Sequence, residues 1–170
     1  MRTAVEKALE ELVDVVPAGV DGFYYQGQEL TDNKCKEVEA FKGIDTLHQL
    51  YAVLRKSWSS STAYKSCQSE WVSEDPSYGQ CAITATLVYD MFGGSIHRIR
   101  VEGGGTHYFN KITGQYVDLT REQFDLYNIE VAYEPNETMQ REYCCKNLDT
   151  NARYRQLQRN IIAYLKNNED

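Results

Sequence analysis

The chain has 170 residues, of which 42% belong to the hydrophobic set AVILMFWYC and 25% are charged, a composition that excludes a wholly disordered protein. Its 18 Lys+Arg against 25 Asp+Glu leave a net charge of −7, so we expect no nucleic-acid partner and no anionic membrane partner. A chain of this length fits one domain, and its apolar runs are too short for a transmembrane helix.

The N-terminal part of the chain predicts one amphipathic helix, a polar stretch and a second helix. Apolar residues recur at helical spacing over residues 4–16, and Pro17 ends the pattern. The second helix is predicted from a cap at Asp45 or Thr46 to Trp58. We expect a single domain, 1–170, that comprises an N-terminal extension, a core and C-terminal helices over 1–45, 46–135 and 136–170.

The centre of the chain predicts a buried helix that begins near a cysteine. Asp75 can cap a helix, and Pro76 suits the first helical position. Residues 80–92 are apolar nearly all round and stop at Gly93, which is typical of a helix buried in the middle of a domain. Cys81 therefore lies at the N-terminal end of the predicted central helix.

A β-rich section follows this helix. Apolar alternation and glycine turns predict three antiparallel strands, a short helix capped by Thr120 and a fourth strand, with the strands over 95–101, 106–112, 115–119 and 128–133. From Thr138 to the end the pattern is helical, with a break at 147–149. The order of elements predicts an α+β fold in which the central helix packs on a small antiparallel sheet, between flanking N- and C-terminal helices.

The five cysteines indicate free thiols rather than a disulfide framework, because their number is odd and the N-terminal segment has no signal-peptide pattern. We therefore expect a cytoplasmic protein. No C-x-x-C pair, P-loop or dinucleotide motif is present, so we expect neither a metal nor an organic cofactor. Four of the thiols are predicted to be small structural hydrophobes, namely Cys35, Cys67, Cys144 and Cys145.

Cys81, His107 and Asp118 have the residue types of a thiol-based catalytic triad. A helix N-terminus lowers the pKa of a thiol, an imidazole exchanges its proton, and a carboxylate orients the imidazole. If the strands over 106–119 form a hairpin around Lys111-Ile112-Thr113-Gly114, His107 and Asp118 face each other on one side of the sheet. A helix with such a cysteine, packed on a sheet with this pair, is the arrangement of papain-like and transglutaminase-like folds.

Several motifs resemble the YunG-like family of small bacterial proteins. They are Gly79-Gln80-Cys81-Ala82, Phe92-Gly93-Gly94, Thr106-His107-Tyr108-Phe109-Asn110 and the run from Val117 to Phe124. The resemblance covers roughly residues 55–160 and implies a cysteine-hydrolase-like core with no assigned substrate. The chain order of Cys, His and Asp is also similar to that of transglutaminases and arylamine acetyltransferases.

The residues that would support a reaction at Cys81 leave alternatives open. Papain-like peptidases carry a glutamine several residues before the nucleophile, whereas here Gln80 is adjacent to Cys81. One candidate oxyanion donor is the backbone N–H of Cys81, and the other is the side chain of Gln80 or Gln68 or the hydroxyl of Thr62. Gly79 allows the backbone to approach a ligand. The candidate substrate-binding residues are Trp58, Tyr78, Tyr108 and Asn110.

Two classes of function fit these residues. The first is a cysteine-dependent hydrolase or acyltransferase that acts on an amide, ester or thioester of a small molecule or peptide. The second is a non-catalytic binding or regulatory module of the same fold, which recognises a protein or small-molecule partner and leaves the triad idle. A metal site built from Cys81, His107 and Asp118 ranks last. A low thiol pKa that depends on His107 favours the enzyme over the module.

Overall fold

The computed structural model describes residues 2–31, 33, 35–36, 38–103, 105–144 and 146–169. Its helices are α1 (Ala4–Leu12), α2 (Leu47–Ser57), α3 (Cys81–Phe92), α4 (Glu122–Asp125), α5 (Arg141–Cys144) and α6 (Leu148–Asn167). Its strands are β1 (Ser95–Val101), β2 (Gly105–Ile112), β3 (Gln115–Val117) and β4 (Glu137–Met139). The predicted α+β class is confirmed, because the described strands form an antiparallel sheet in the order β3-β2-β1-β4 beside these helices.

The first two helices begin where their capping residues predict. The Thr3 hydroxyl accepts a hydrogen bond from the backbone N–H of Glu6, and Thr46 caps α2 in the same way. Helix α1 ends at Leu12 rather than at residue 16. The next apolar side chain, Val13, is 79% exposed, so further helical turns would gain no packing against the core.

Helix α3 is the central helix that the sequence predicts. It is buried over most of its length and stops at Gly93, whose positive φ of 80° ends the helix. Its predicted start near residue 80 agrees with the structure, in which Gln80 is the N-cap residue. Asp75 and Pro76, which the sequence indicates as cap and first helical residue, instead lie in a series of turns. Cys81 is therefore the first residue of the helix.

The fourth strand and the C-terminal helices differ from the prediction. Residues 128–133 form no strand; Ile129, Val131 and Tyr133 instead pack on a cluster that contains Phe109. The strand is β4, which pairs with β1 through Ile96 and Met139. Thr138 thus lies in a strand rather than in a helix, because the hydrogen-bonding edge of β1 satisfies its backbone.

The hairpin of β2 and β3 is two residues out of the predicted register. Asn110 pairs with Val117, and the turn contains only Thr113 and Gly114, both with positive φ. Extending this register places Asp118 opposite Phe109 rather than His107. Because side chains alternate with a period of two, a shift of two keeps Asp118 and His107 on the same face of the sheet.

One hydrophobic cluster joins the helices on the inner face of the sheet. It includes residues from α1, α2, α3 and α6, with Ile112, Val117 and Leu119 from the hairpin and the segment after it. A separate cluster covers the other face around Phe109 and Phe124. Within the described residues, no helix has the length and apolar character needed to cross a bilayer. The site lies where α3 meets β2, between the two clusters.

Candidate active site

Cys81 reaches the site because a glycine two residues earlier lets the chain pass close to a neighbouring loop. Gly79 has a φ of +74°, and a Cβ added there would lie 2.9 Å from Cβ of Cys67 and 3.1 Å from the backbone nitrogen of Tyr64. Only glycine meets both requirements without displacing that loop. The turn delivers the Cys81 side chain, half-buried, to the wall of a cavity of about 980 Å³.

His107 and Asp118 form a buried pair beside this cysteine. His107 Nε2 lies 2.7 Å from Oδ2 of Asp118, and each side chain is 1% exposed. Phe124 packs edge-on against the imidazole, with ring centroids 4.7 Å apart, and Phe109 stacks on it at 6.2 Å. The aromatic walls exclude water and leave the imidazole little freedom to turn.

Asp118 accepts hydrogen bonds on both of its carboxylate oxygens. Oδ1 accepts from the backbone N–H of Thr120 at 3.1 Å and from its hydroxyl at 3.2 Å. Oδ2 accepts from the Tyr133 hydroxyl at 2.9 Å in addition to His107. Burial and the charge of Asp118 raise the pKa of Tyr133, so this hydroxyl stays protonated and remains a donor. Asp118 is thereby fixed to orient His107.

Thr120 and Tyr133 were not among the residues predicted to form the site. An aspartate two residues before a threonine is the pattern of a turn in which the carboxylate accepts from the following backbone, so Thr120 could have been found. Tyr133 lies 15 residues from Asp118 in an irregular segment, and no local pattern connects them.

The geometry leaves Nδ1 of His107 facing Cys81. This atom is buried and has no hydrogen-bond partner of regular geometry, a feature common for catalytic pairs before substrate binds. Burial raises the pKa of the Cys81 thiol, but the hydrogen bond and charge of His107, together with the backbone N–H of Tyr108, outweigh it, so the pKa lies below its ordinary value.

The pKa of His107 moves in the opposite direction. Burial lowers it, but the charge of Asp118 and the hydrogen bonds with Asp118 and Cys81 outweigh burial, so the pKa is raised. A lowered thiol pKa beside a raised imidazole pKa favours a thiolate–imidazolium pair, which titrates as one unit. The thiolate is the form that attacks carbonyl carbon.

Two residues predicted as oxyanion donors are engaged elsewhere. The Thr62 hydroxyl donates to Oε1 of Gln80 at 2.8 Å, and Nε2 of Gln80 donates to the Ser59 carbonyl at 3.0 Å. Both side chains are fully buried and neither lines the cavity. They fasten the loop before α3 to the loop after α2. The Gln68 amide likewise donates to a backbone carbonyl, that of Ala63, at 3.1 Å.

The candidate substrate-binding residues divide into two pairs. Tyr78 and Tyr108 line the cavity. Trp58 instead lies in the core and donates from Nε1 to the Thr84 hydroxyl at 3.0 Å, and Asn110 donates to the Ala85 carbonyl at 2.9 Å. Trp58 and Asn110 therefore hold α3 in place. Alternation predicts this for Asn110, because it lies on the face of β2 opposite to that of Phe109.

Another polar side chain on the cavity wall, that of Gln123, was not predicted. Its Oε1 accepts from the backbone N–H of Gly79 at 3.3 Å, and its Nε2 donates to the Thr120 carbonyl at 3.0 Å. It joins the loop that carries Asp118 to the turn before Cys81. A sequence pattern alone assigns Gln123 to the first turn of a helix, which does not reveal this contact.

The other cysteines that the structure describes are partly or fully buried. Cys35 and Cys67 are half-buried and Cys144 is buried; Cys145 lies outside the described residues. Within the described part of the chain, no cluster of three or more His, Cys, Asp or Glu side chains has the proximity to hold a metal ion.

Fold and site together define an α+β protein in which a cysteine at the start of a central helix faces a buried His–Asp pair on an antiparallel sheet. The family model described as YunG protein matches residues 46–166, more than half of the chain. The chain therefore belongs to the YunG family. This bears out the family resemblance of its motifs.

A curated relative supports the same assignment. The chain is similar to the "Uncharacterized protein YunG" of Bacillus subtilis (strain 168), with 42% identity over 72 residues. The matched region covers 42% of this chain and 57% of the relative, so the chain spans little more than half the length of that protein. No solved structure matches the chain.

Proposed function

We propose that this protein is a cysteine-dependent hydrolase or acyltransferase that acts on an amide, ester or thioester. Cys81 is the nucleophile, His107 is the general base and then the general acid, and Asp118 orients the imidazole. The observation that carries the proposal is the His107 ring itself. Its Nε2 is held at 2.7 Å from Asp118, and its free Nδ1 is directed to the thiol.

The reaction follows from the protonation states of the pair. The Cys81 thiolate attacks the carbonyl carbon, which forms an S–C bond and a tetrahedral oxyanion. Collapse of this intermediate breaks the bond to the leaving group, which takes the proton from Nδ1 of His107. A water or an amine then attacks the thioester and gives its proton to His107. The S–C bond breaks, which releases the Cys81 thiolate and yields the carboxylic acid or the new amide.

The first turn of α3 supplies a donor to the oxyanion. The backbone N–H of Cys81 is at the N-terminus of a 12-residue helix, where amide groups have no acceptor within the helix and the dipole is positive. We assign the second donor to Gln123, since its Nε2 has two N–H groups and donates one of them to the Thr120 carbonyl.

We extend the proposal to a papain-like, transglutaminase-like core. The chain order of Cys81, His107 and Asp118 supports it, as does the packing of α3 on an antiparallel strand that carries the histidine. The ring geometry adds support, because the carboxylate is on Nε2 and the thiol faces Nδ1.

The proposal is tested by the pH dependence of alkylation with limiting iodoacetamide, with the modified cysteine located by mass spectrometry. In the wild-type protein, we expect Cys81 to react fastest and to retain its reactivity below the pH at which ordinary thiols lose theirs, about 8.5. In His107→Ala this advantage is lost. His48→Ala is the matched control, because His48 is half-buried and bonds to the Tyr25 hydroxyl, away from the cavity.

The opposite result would favour a binding module. If Cys81 reacts no faster than the other thiols, or if His107→Ala reacts as the wild type does while remaining folded, the catalytic reading is wrong.

A further inference from the structure

The cavity beside Cys81 is lined by cationic side chains although the chain has a net charge of −7. Three cationic side chains line it, those of Arg98, Lys146 and Arg153. None of the lining residues that the structure describes is an aspartate or a glutamate. In a chain with more carboxylates than cations, such a lining concentrates positive potential in one concave surface.

Two helix N-termini lie at the cavity. Cys81 is the first residue of α3, and the cap residue of α6, Asn147, also lines the cavity, as does Thr150. The first turn of α3 has no acidic side chain that would offset its dipole. The first turn of α6 contains Asp149, and its amides donate to the Asn147 side chain. The N-terminus of α3 is therefore the helix end whose dipole acts without offset on a group bound in the cavity.

The three cations are not equally available. Arg153 is buried; it donates to the Thr62 carbonyl at 3.1 Å and pairs with Asp149 at 3.0 Å, so it is part of the wall. Arg98 pairs with the exposed Glu137 at 2.9 Å through Nε and donates from one terminal nitrogen to the Tyr143 hydroxyl at 3.5 Å. A guanidinium has five N–H groups, so donors remain for a ligand. Lys146 is exposed and forms no ion pair with any residue that the structure describes.

Arg98 lies one strand away from the reacting thiol. It is directly opposite Tyr108 in the pairing of β1 with β2, and both residues line the same cavity as Cys81. Neighbouring strands are about 5 Å apart, so Arg98 is adjacent to Tyr108 on the wall of the cavity that Cys81 faces.

We infer that the substrate carries an anionic group, a carboxylate or a phosphate, which binds Lys146 and Arg98 while its acyl carbon lies at Sγ of Cys81. This inference rests on the proposed function, because it names the substrate class of the same cavity. Lys146 supplies a mobile point charge, and Arg98 supplies planar donors that match carboxylate or phosphate oxygens.

Paired alkylating reagents test this without knowledge of the natural substrate. Iodoacetate and iodoacetamide place the same carbon at the thiolate, but only iodoacetate carries a charge. The ratio of their rate constants at Cys81 is measured in wild type, Lys146→Gln and Arg98→Gln, at low and high salt. Any change in thiol ionisation affects both reagents equally and cancels in the ratio. Lys166→Gln, at the other end of α6, is the matched charge control.

We expect the iodoacetate to iodoacetamide ratio to fall about two- to fivefold in Lys146→Gln and in Arg98→Gln, and the difference to shrink at high salt. Lys166→Gln should leave the ratio unchanged. A ratio that both cavity variants leave equal to that of the wild type would overturn the inference. If iodoacetamide still shows a His107-dependent reaction at low pH in that case, the proposed function stands and only the substrate charge is wrong.

A protection experiment separates the two anions. Inorganic phosphate and succinate are each added at constant ionic strength while iodoacetamide modifies Cys81. Protection by phosphate that is lost in Lys146→Gln supports a phosphate-bearing substrate, and the same result with succinate supports a carboxylate. If neither anion protects and the reagent ratio is also insensitive to Lys146 and Arg98, the cavity does not select an anion.

Discussion

Replacing Asp118 with asparagine tests the site most directly, because the two side chains have nearly the same shape. The carboxylate accepts hydrogen bonds from four donors, two on each oxygen. An asparagine oxygen can keep the two from Thr120, and its NH₂ group then faces His107 Nε2. A neutral imidazole accepts from that NH₂ group only if its proton is on Nδ1, which faces the thiol. This is the wrong tautomer to accept a proton from Cys81.

The magnitude follows from the ionisation of the thiol. Without the carboxylate charge beside Nε2, the His107 imidazolium loses its main stabilising partner. The pKa of the Cys81 thiol then approaches that of an ordinary cysteine. A thiol with an ordinary pKa of about 8.5 is about 0.3% thiolate at pH 6 and about 75% at pH 9. The alkylation rate of Asp118→Asn should therefore be more than two orders of magnitude lower at pH 6 than at pH 9, whereas the wild-type rate should change far less.

The assay is iodoacetamide alkylation at pH 6 and pH 9, with Cys81 identified by mass and folding checked by circular dichroism. Asp125→Asn is the matched control, because Asp125 pairs with Arg121 at 3.0 Å and does not contact His107. The loss of a charge-assisted hydrogen bond should also lower the free energy of unfolding by about 1–3 kcal/mol. A folded Asp118→Asn protein that reacts at pH 6 as fast as wild type would refute this account of the triad.

Three further substitutions test other features. Tyr133→Phe removes the hydroxyl bonded to Asp118 and should lower the free energy of unfolding in urea by about 1.5–3 kcal/mol. Trp58→Phe leaves the Thr84 hydroxyl without its donor; it should cost about 1–3 kcal/mol in urea unfolding while the iodoacetamide rate at Cys81 stays at the wild-type value. Burial raises the pKa of Asp75 from 3.8 to about 6. The folded protein therefore loses stability as the pH rises between these values, because the buried carboxyl has to ionise. Asp75→Asn should then increase the free energy of unfolding at pH 8, by up to about 3 kcal/mol, and change it little at pH 4.

Each of these has a result that contradicts it. Tyr143→Phe, at an exposed tyrosine, is the control for Tyr133→Phe, and equal effects would mean that the bond to Asp118 contributes nothing. A slower alkylation of Cys81 in Trp58→Phe would show that Trp58 affects the site and not only the stability of the core. An Asp75→Asn variant less stable than wild type at pH 8 would show that the ionised carboxylate is not costly where it is buried.

The residues whose roles depend on local chemistry were predicted from the sequence. Thr46 caps α2, Gly93 ends α3, and Cys81 lies at the start of the central helix, because caps, glycine stops and apolar periodicity act over a few residues. His107 and Asp118 were also placed together correctly, although the register was wrong by two. The error did not separate them, since the alternation of side chains tolerates an even shift.

Strand assignment failed where propensity and tertiary pairing disagreed. Residues 128–133 have the apolar alternation of a strand, yet the edge of β1 is occupied by residues 137–139. The apolar side chains of the earlier segment are instead partly buried against the cluster that contains Phe109 and Phe124. Which segment pairs with an open edge depends on chain path, and a periodicity pattern does not contain that path.

The sequence by itself determined the charge, the α+β class, the central helix and the pairing of His107 with Asp118, because each depends on composition or on residues close together in the chain. Tertiary structure decided the rest. It directed Gln80 and Thr62 towards each other and away from the cavity. It also brought Tyr133 onto Asp118, and Lys146 and Arg98 into the lining of one cavity. A polar side chain has several possible partners in a sequence, and only the folded backbone selects the one within hydrogen-bonding distance.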